Sequence, residues 1–204
     1  MASSDGYGEL TVVPRVAVSF PLPLPLPDGF APERAETWPP VPGRLEYREG
    51  SLLYMPPFGD LQLKTAADVV TELSSWRRTH KEFVVGANEA GMLLGGEVRG
   101  ADAAVWRSAD LGPDTGGFPR AAPVLAVEIA GKDEEVDALL AKAEWYLGHG
   151  VAVVWVLEPV TRSARVVTRA GTVTLSHSER MPEAPELPGL GPLVADLFQQ
   201  VSGH

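Results

Sequence analysis

The sequence predicts an α/β domain with a mixed β-sheet flanked by helices, preceded by a proline-rich N-terminal arm. Two near-continuous apolar runs, PVLAVEIA and VAVVWVLEP, are separated by an amphipathic segment, which predicts a strand–helix–strand unit. Shorter segments divided by glycines predict antiparallel strands beside that unit. The prolines cluster before residue 43, and 204 residues suit one domain.

The first forty-odd residues predict an arm rather than part of the core. The segments FPLPLPLPDG and TWPPVPG are poor candidates for a central strand or a helix interior, because proline lacks the backbone donor and fixes φ. We assign residues 1–42 to an arm packed on the domain, with a short strand at LTVVPRVAVSF, and residues 43–204 to the domain. A polyproline-type recognition ligand is the alternative.

A regular pattern begins at residue 43. The segment RLEYREGSLLYM predicts two strands around a turn at Glu49 and Gly50. A helix is expected from Leu61 to about His80. Its apolar stripe comprises Leu63, Ala67, Val70, Leu73 and Trp76. The segments EFVVGA, GMLLGGEV and GADAAVW predict strands divided by glycine turns.

The second half of the chain contains the strand–helix–strand unit. Asp133 is expected to cap a helix that ends at Gly148. Its predicted buried stripe is Val136, Leu139, Leu140, Ala143 and Leu147. A hairpin with Gly171 at its turn follows, and PELPGLGPLVADLFQQ predicts a turn and a short closing helix.

Composition limits the possible classes of protein. Cysteine is absent, which excludes disulfides and thiolate sites and agrees with a cytoplasmic location. No apolar run is long enough to span a membrane, and the start lacks the pattern of a secretory signal. The net charge of -10 argues against tight, non-specific binding of nucleic acid, although divalent cations can offset phosphate charge.

Three polar residues stand out as candidates for chemistry. Glu128 lies inside an apolar strand, where an unpaired carboxylate is costly, and Asp102 is expected at the start of a neighbouring strand after a glycine turn. Two carboxylates at neighbouring strand ends suit Mg²⁺ or Mn²⁺, and Lys142 on the following helix can orient water or offset phosphate charge. The structural alternative is a Glu128–Lys142 ion pair, with Asp102 capping a turn.

Longer motifs add a resemblance to a known family. In order, they are RLEYREGSLLYMPP, EVRGADAAVW, PVLAVEIAGKDEEVDALLAKAEWYLGHGVAVVWVLEP and PELPGLGPLVADLF. Over residues 43 to 199 the chain resembles the Uma-two family of endonucleases, within the PD-(D/E)xK restriction-endonuclease-like superfamily. The resemblance implies a restriction-endonuclease-like fold and Mg²⁺-assisted hydrolysis of phosphodiester bonds in DNA.

The resemblance also implies roles for individual residues. Asp102 and Glu128 match the two metal-binding carboxylates, and the backbone carbonyl of Ile129 matches a further ligand. Ala130 stands where the superfamily has a strand lysine, and Lys142 matches the helix lysine that replaces it. Glu46 matches a glutamate near the site, with a surface strand residue as the alternative.

Some features depart from the family pattern. Ala101 replaces the proline before the aspartate, and FGDLQLK lacks the histidine common at the start of the first helix. Lys132 is a competitor for the role of Lys142. Besides a DNA endonuclease, two hypotheses stay open: a catalytically inactive module for binding or oligomerisation, and hydrolysis of another phosphodiester. Cleavage of both strands favours a homodimer.

Overall fold

The computed structural model describes residues 20–55, 57–131 and 134–201. Within these ranges the chain forms nine strands: β1 (Leu22–Leu24), β2 (Arg44–Arg48), β3 (Ser51–Met55), β4 (Phe83–Leu94), β5 (Glu97–Arg107), β6 (Leu125–Ile129), β7 (Val153–Glu158), β8 (Ser163–Thr168) and β9 (Gly171–Leu175). The helices are α1 (Asp60–Arg77), α2 (Ser108–Leu111) and α3 (Val136–Gly148), with 3₁₀ turns at Ala35–Thr37 and Val194–Phe198.

One mixed sheet contains all these strands, in agreement with the predicted α/β class. Its order is β1-β3-β2-β5-β6-β7-β8-β9, with β4 paired to β5. The β6–β7 pair is parallel and is connected through α3, as the strand–helix–strand pattern predicted. The other pairs are antiparallel.

The two edges of β5 are used differently, and this creates a break in the sheet. Along one edge β4 pairs with β5 over its whole length. Along the other edge β2 pairs only at Val98, and β6 pairs only at Ala103, Ala104 and Val105. Residues 99–102 therefore lie between β2 and β6 without a strand partner on that side. Side chains, rather than another strand, must therefore supply the hydrogen-bond partners of the backbone N–H and C=O groups there.

The helices cover both faces of the sheet. Residues of α1 and the Val194–Phe198 turn pack with Val153, Trp155 and Leu157 of β7. The alternate residues Val154 and Val156 pack with α3 instead. Because successive strand residues point to opposite faces, both faces of β7 are buried, which explains its continuous apolar run.

The predicted face of α1 is correct in part: Leu73 is fully buried, and Val70 and Trp76 pack against the core. The helix buries Gln62, Thr65, Asp68, Val69 and Leu73, whereas Leu63 is 51% exposed and Ala67 is also exposed. Asp68 accepts hydrogen bonds from the backbone and side-chain nitrogens of Gln200. Gln62 and Asp68, which both have partners outside the helix, belong to the buried face, so that face is turned away from Leu63 and Ala67.

The strands around Asp102 also differ from the prediction. EFVVGA and GMLL form one strand, β4, because a bulge between Ala87 and Ala90 absorbs the irregularity without ending the strand. Gly100 pairs with Gly91 instead of forming a turn, so Asp102 lies inside β5 rather than at its start. The turn between β4 and β5 is at Gly95 and Gly96, both with positive φ.

The described part of the arm joins the sheet. Strand β1 pairs with β3, and Pro23 within it suits an edge position. Phe30 packs against Tyr47 in a tilted arrangement, with ring centroids 5.3 Å apart. The strand expected over residues 10–20 lies outside the described residues except for Phe20, and the boundary at residues 42 and 43 stays a prediction.

Helix α3 ends at Gly148 as predicted, and it buries Leu139, Ala143 and Leu147 of the expected stripe together with Tyr146. Asp133, its predicted cap, lies outside the described residues, as does Lys132. None of the helices in the described ranges is both long and apolar enough to cross a membrane.

Candidate functional site

The predicted site residues come together at the break between β2 and β6. Glu46 belongs to β2, Asp102 to β5, Glu128 to β6 and Lys142 to α3. The three carboxylate residues are only 2%, 4% and 3% exposed, respectively. Burial of this many acids is costly unless cations or hydrogen bonds compensate, so their partners determine what the cluster can do.

Lys142 is the central cation of the cluster. Its Nζ lies 3.0 Å from Oε1 of Glu46 and 3.0 Å from Oε2 of Glu128, and it donates to the carbonyl of Gly100 at 2.8 Å. Burial lowers the pKa of Lys142, but Glu128 and Glu46 outweigh it and hold the pKa well above its usual value. The side chain is therefore an ammonium ion at neutral pH and cannot serve as a general base.

Glu128 is held by two partners on α3. Its Oε2 accepts from Lys142 at 3.0 Å and its Oε1 accepts from the Tyr146 hydroxyl at 2.8 Å. Burial raises the pKa of Glu128 to about 7, although Lys142 opposes the shift. Tyr146 follows Lys142 by one helical turn, and that spacing was the signal that could have included it among the predicted site residues.

Asp102 is fixed by the neighbouring strand. Its Oδ2 accepts from the backbone N–H of Ile129 at 2.6 Å, across the end of the β5–β6 pairing. Burial raises the pKa of Asp102 well above its usual value, and Glu128 and Glu89 add to the shift. A nearby cation or a bound proton would relieve this repulsion.

Glu46 belongs to the cluster rather than to the surface. Its Oε1 accepts from the backbone N–H of Gly100 at 3.1 Å as well as facing Lys142. Burial raises the pKa of Glu46, but Lys142 and the Gly100 N–H more than compensate, so the pKa lies below its usual value. Its Oε2 is buried without a hydrogen-bond partner among the described residues.

Sequence reasoning missed Gln62 on α1. Its Nε2 donates to the carbonyl of Ile129 at 2.8 Å, the same carbonyl that the family resemblance implies as a ligand. Gln62 is buried in the first turn of α1. The apolar stripe assigned to α1 excluded this position, and the only signal was its place in the FGDLQLK segment.

Sequence reasoning also missed Arg44 and Glu89. Arg44 forms an ion pair with Glu89 through Nη1, and the same nitrogen lies 3.5 Å from Oδ1 of Asp102. Glu89 reaches the site from the β4 bulge. No sequence pattern indicated this, because a bulge changes the direction of a side chain without a distinctive local motif.

The alternative of a purely structural ion pair, with Asp102 capping a turn, is observed in part. Glu128 and Lys142 do form an ion pair, but Asp102 contacts the Ile129 backbone instead of capping a turn. Within the described ranges, no group of three or more histidine, aspartate or glutamate residues is arranged to hold a metal ion. The donor chemistry nevertheless fits a hard divalent cation, since the oxygens are carboxylates and Glu46 Oε2 has unused acceptor capacity.

Comparison with solved structures identifies the class of fold. The chain is similar to a crystal structure described as a putative nuclease belonging to DUF820 from Anabaena variabilis, with a TM-score of 0.73 and 17% identity. The alignment covers 84% of this chain and 99% of that chain, so the fold is that of this nuclease-type structure. No match was found among curated proteins.

The family follows from a direct match to the sequence. The model of the Uma2 family, described as "Putative restriction endonuclease", matches residues 32–196. The chain therefore belongs to the Uma2 family, and the resemblance inferred from the motifs is confirmed. The match also includes residues 32–42, which we had assigned to the arm.

Proposed function

We propose that this protein is a metal-dependent endonuclease that hydrolyses phosphodiester bonds in DNA. The observation that carries the proposal is the convergence of Asp102, Glu128 and Lys142 at the break in the sheet, in a chain of a family described as restriction endonucleases. A bound divalent cation would also reduce the repulsion between DNA and a chain of net charge -10.

Asp102, Glu128 and the carbonyl of Ile129 would hold Mg²⁺ or Mn²⁺, with Glu46 as a further ligand. When bound, the cation supplies Lewis acidity and lowers the pKa of water. The acids already lie on neighbouring strands, and the raised pKa of Asp102 reflects crowding of negative charge that a cation would relieve. Ligation requires ionised carboxylates, so cation binding competes with protonation.

Lys142 would stabilise negative charge rather than remove a proton. Its pKa lies well above the usual value because Glu128 and Glu46 outweigh the effect of burial, so it is positively charged at neutral pH. Glu46 and Glu128 hold its ammonium group between them. From that position it can orient water and offset the charge that develops on a phosphate under attack.

The proposal is tested by incubating supercoiled plasmid and single-stranded DNA with Mg²⁺ or Mn²⁺. We expect cleavage by the unmodified protein and by Glu144→Gln, and at least a roughly 100-fold loss in Glu128→Gln. Glu144 lies on the same helix as Lys142 but is exposed, so it controls for the chemical change alone. Equal traces of cleavage in all three proteins would indicate a contaminant and contradict the proposal.

A catalytically inactive module for binding or oligomerisation is the second candidate. It is favoured by the complete internal pairing of Glu128, since Tyr146 and Lys142 occupy both of its oxygens. In that case Glu128→Gln should change stability alone. Hydrolysis of another phosphodiester is separated from both by screening substrates.

We also propose a homodimer, because cleavage of two DNA strands favours two sites related by twofold symmetry. Light scattering coupled to size exclusion measures the mass directly. A monomer at the concentration that gives plasmid cleavage would contradict this part of the proposal alone.

A further inference from the structure

Arg44 lies beside the carboxylate cluster but is not explained by a metal-assisted reaction. It is two residues before Glu46 on β2, and its guanidinium group lies 4.6 Å from the ring centre of Phe58. Its side chain is 23% exposed, so it is neither a free surface group nor a sealed internal one. An arginine kept in this position costs side-chain entropy, which its contacts must offset.

The contacts of Arg44 use only one side of the guanidinium group. Both carboxylates, Glu89 and Asp102, approach the same nitrogen, Nη1. The Nε atom is buried and has no hydrogen-bond partner among the described residues. The edge formed by Nε and Nη2 is therefore left without an acceptor in this part of the chain. Of these two atoms only Nη2 is not buried, so its N–H groups are the donors that a phosphate oxygen can reach.

The sheet is shaped to bring Glu89 to this arginine. Asn88 and Glu89 are consecutive residues with φ of 56° and 62°. This left-handed conformation costs roughly 1 kcal/mol or more for a residue other than glycine. Across the bulge, a Cβ on Gly100 would lie 2.9 Å from Oε2 of Glu89, so the carboxylate could not keep this position beside a larger residue. Such an arrangement is expected where orientation of a side chain matters.

We propose that Arg44 binds a phosphodiester of the nucleic acid through Nη2, and that Glu89 is the positioning residue that holds Nη1. This inference rests on the proposed function and adds a phosphate-binding residue to it. Phe58 makes a cation–π contact with the guanidinium group, which helps to hold it in place. Asp102 contributes a weaker contact to the same nitrogen, which places the bound phosphate next to the carboxylate cluster.

The test measures binding of a short fluorescein-labelled DNA duplex by anisotropy, with Ca²⁺ replacing Mg²⁺, over a range of salt concentrations. We expect Arg44→Gln to bind about 10- to 100-fold more weakly. The slope of log affinity against log salt concentration should become smaller by about 1. Arg44→Lys should recover only part of the affinity, because an ammonium group lacks the fixed planar donors of a guanidinium group. Glu89→Gln should weaken binding less than Arg44→Gln.

Arg48→Gln is the matched control, since Arg48 lies on the same strand and face and has no ion pair among the described residues. It should bind within about twofold of the unmodified protein. If Arg44→Gln fails to fold, the binding test is made on the unmodified protein instead, by following the ¹⁵N NMR signal of Arg44 Nε. That signal should shift on titration with the duplex or with inorganic phosphate.

The outcomes separate this inference from the proposed function. Cleavage of plasmid combined with unchanged affinity and salt slope in Arg44→Gln would overturn the role of Arg44 and leave the endonuclease intact. Loss of binding in Arg44→Gln without cleavage by any form would support phosphate binding and contradict the endonuclease. A duplex that does not bind at all, or an Nε signal that does not move, would overturn the inference.

Discussion

At the scale of single residues, the candidate site holds more negative than positive charge. Its carboxylate and cationic residues are Glu46, Glu89, Asp102, Glu128, Arg44 and Lys142. Buried ion pairs seldom repay the desolvation of their charges, so the cluster is expected to reduce stability relative to an uncharged core. The raised pKa values of Asp102 and Glu128 have the same origin.

Glu128→Gln should make the protein more stable at alkaline pH. With a pKa of about 7 when folded, against an ordinary value of 4.5, Glu128 binds a proton more readily in the folded state. Its contribution to stability is thus greatest below about pH 4.5 and is lost as the pH rises through about 7. We expect Glu128→Gln to gain up to about 3 kcal/mol over the unmodified protein between pH 5 and pH 8.

Urea unfolding at the two pH values, in EDTA, measures this difference, and Glu144→Gln is the control. A difference between Glu128→Gln and the unmodified protein that does not change with pH would contradict the prediction.

Lys142→Met should be strongly destabilising, because it leaves Glu46 and Glu128 buried without their shared cation. Removing one partner of a buried ion pair costs roughly 3–5 kcal/mol. Adding Glu46→Gln should restore part of the lost stability, since it removes one of the two buried carboxylates that have no cation beside them. Thermal unfolding of the single and double variants measures these changes in stability. Losses that simply add would contradict the prediction, because they would show that the charges are not coupled.

Only some of these residues are accessible to sequence reasoning. Glu128 interrupts an apolar strand and Lys142 follows on the next helix, so the local pattern and the family motif both identify them. Gln62 and Glu89 carry no such signal. Gln62 depends on the rotation of α1 about its axis, and Glu89 depends on the bulge in β4. Both are set by tertiary packing.

At the scale of elements, the break along β5 determines where chemistry can occur. Strands β2 and β6 stop pairing on either side of residues 99–102. On this edge the buried backbone of Gly100 is instead hydrogen-bonded by the side chains of Glu46, Lys142 and Tyr146. The sequence patterns predicted strands in each of these segments. They also predicted glycine turns inside β4 and β5, which are continuous, so the break along β5 could not be located from the sequence.

A buried hydrogen bond from Gln62 to the Ile129 carbonyl connects helix α1 to β6. Gln62→Ala should therefore cost about 0.5–1.5 kcal/mol in stability. If that carbonyl binds the cation, loss of its orienting donor should also weaken Mn²⁺ binding by about 10-fold. Thermal unfolding and isothermal titration with Mn²⁺ measure the two effects.

A matched control is Gln199→Ala, which removes an exposed hydrogen bond from the Gln199 side chain to Oδ1 of Asp196. Mn²⁺ affinity that is unchanged in Gln62→Ala would exclude a role for this hydrogen bond in ordering the cation site.

At the scale of the whole molecule, the arm is part of the folded structure over the residues described. Strand β1 covers the edge of β3, where unpaired backbone groups would otherwise favour pairing between chains. Trp38 bridges Phe30 and Phe118, with centroid distances of 5.6 Å and 5.1 Å. Proline content marked the segment as irregular but carried no information about these long-range contacts.

A chain that begins at Gly43 tests the boundary placed before that residue. Losing β1 exposes the edge of β3, and losing Phe30 and Trp38 uncovers Tyr47 and Phe118. Because each partly buried aromatic contributes about 1–2 kcal/mol, we expect a loss of about 2–4 kcal/mol together with self-association. Thermal unfolding measures the first effect and size exclusion the second.

Trp38→Ala in the full chain should reproduce part of the loss in stability without association, because β1 remains in place. A shortened chain with unchanged unfolding and a single elution peak would instead show that the domain needs nothing before residue 43.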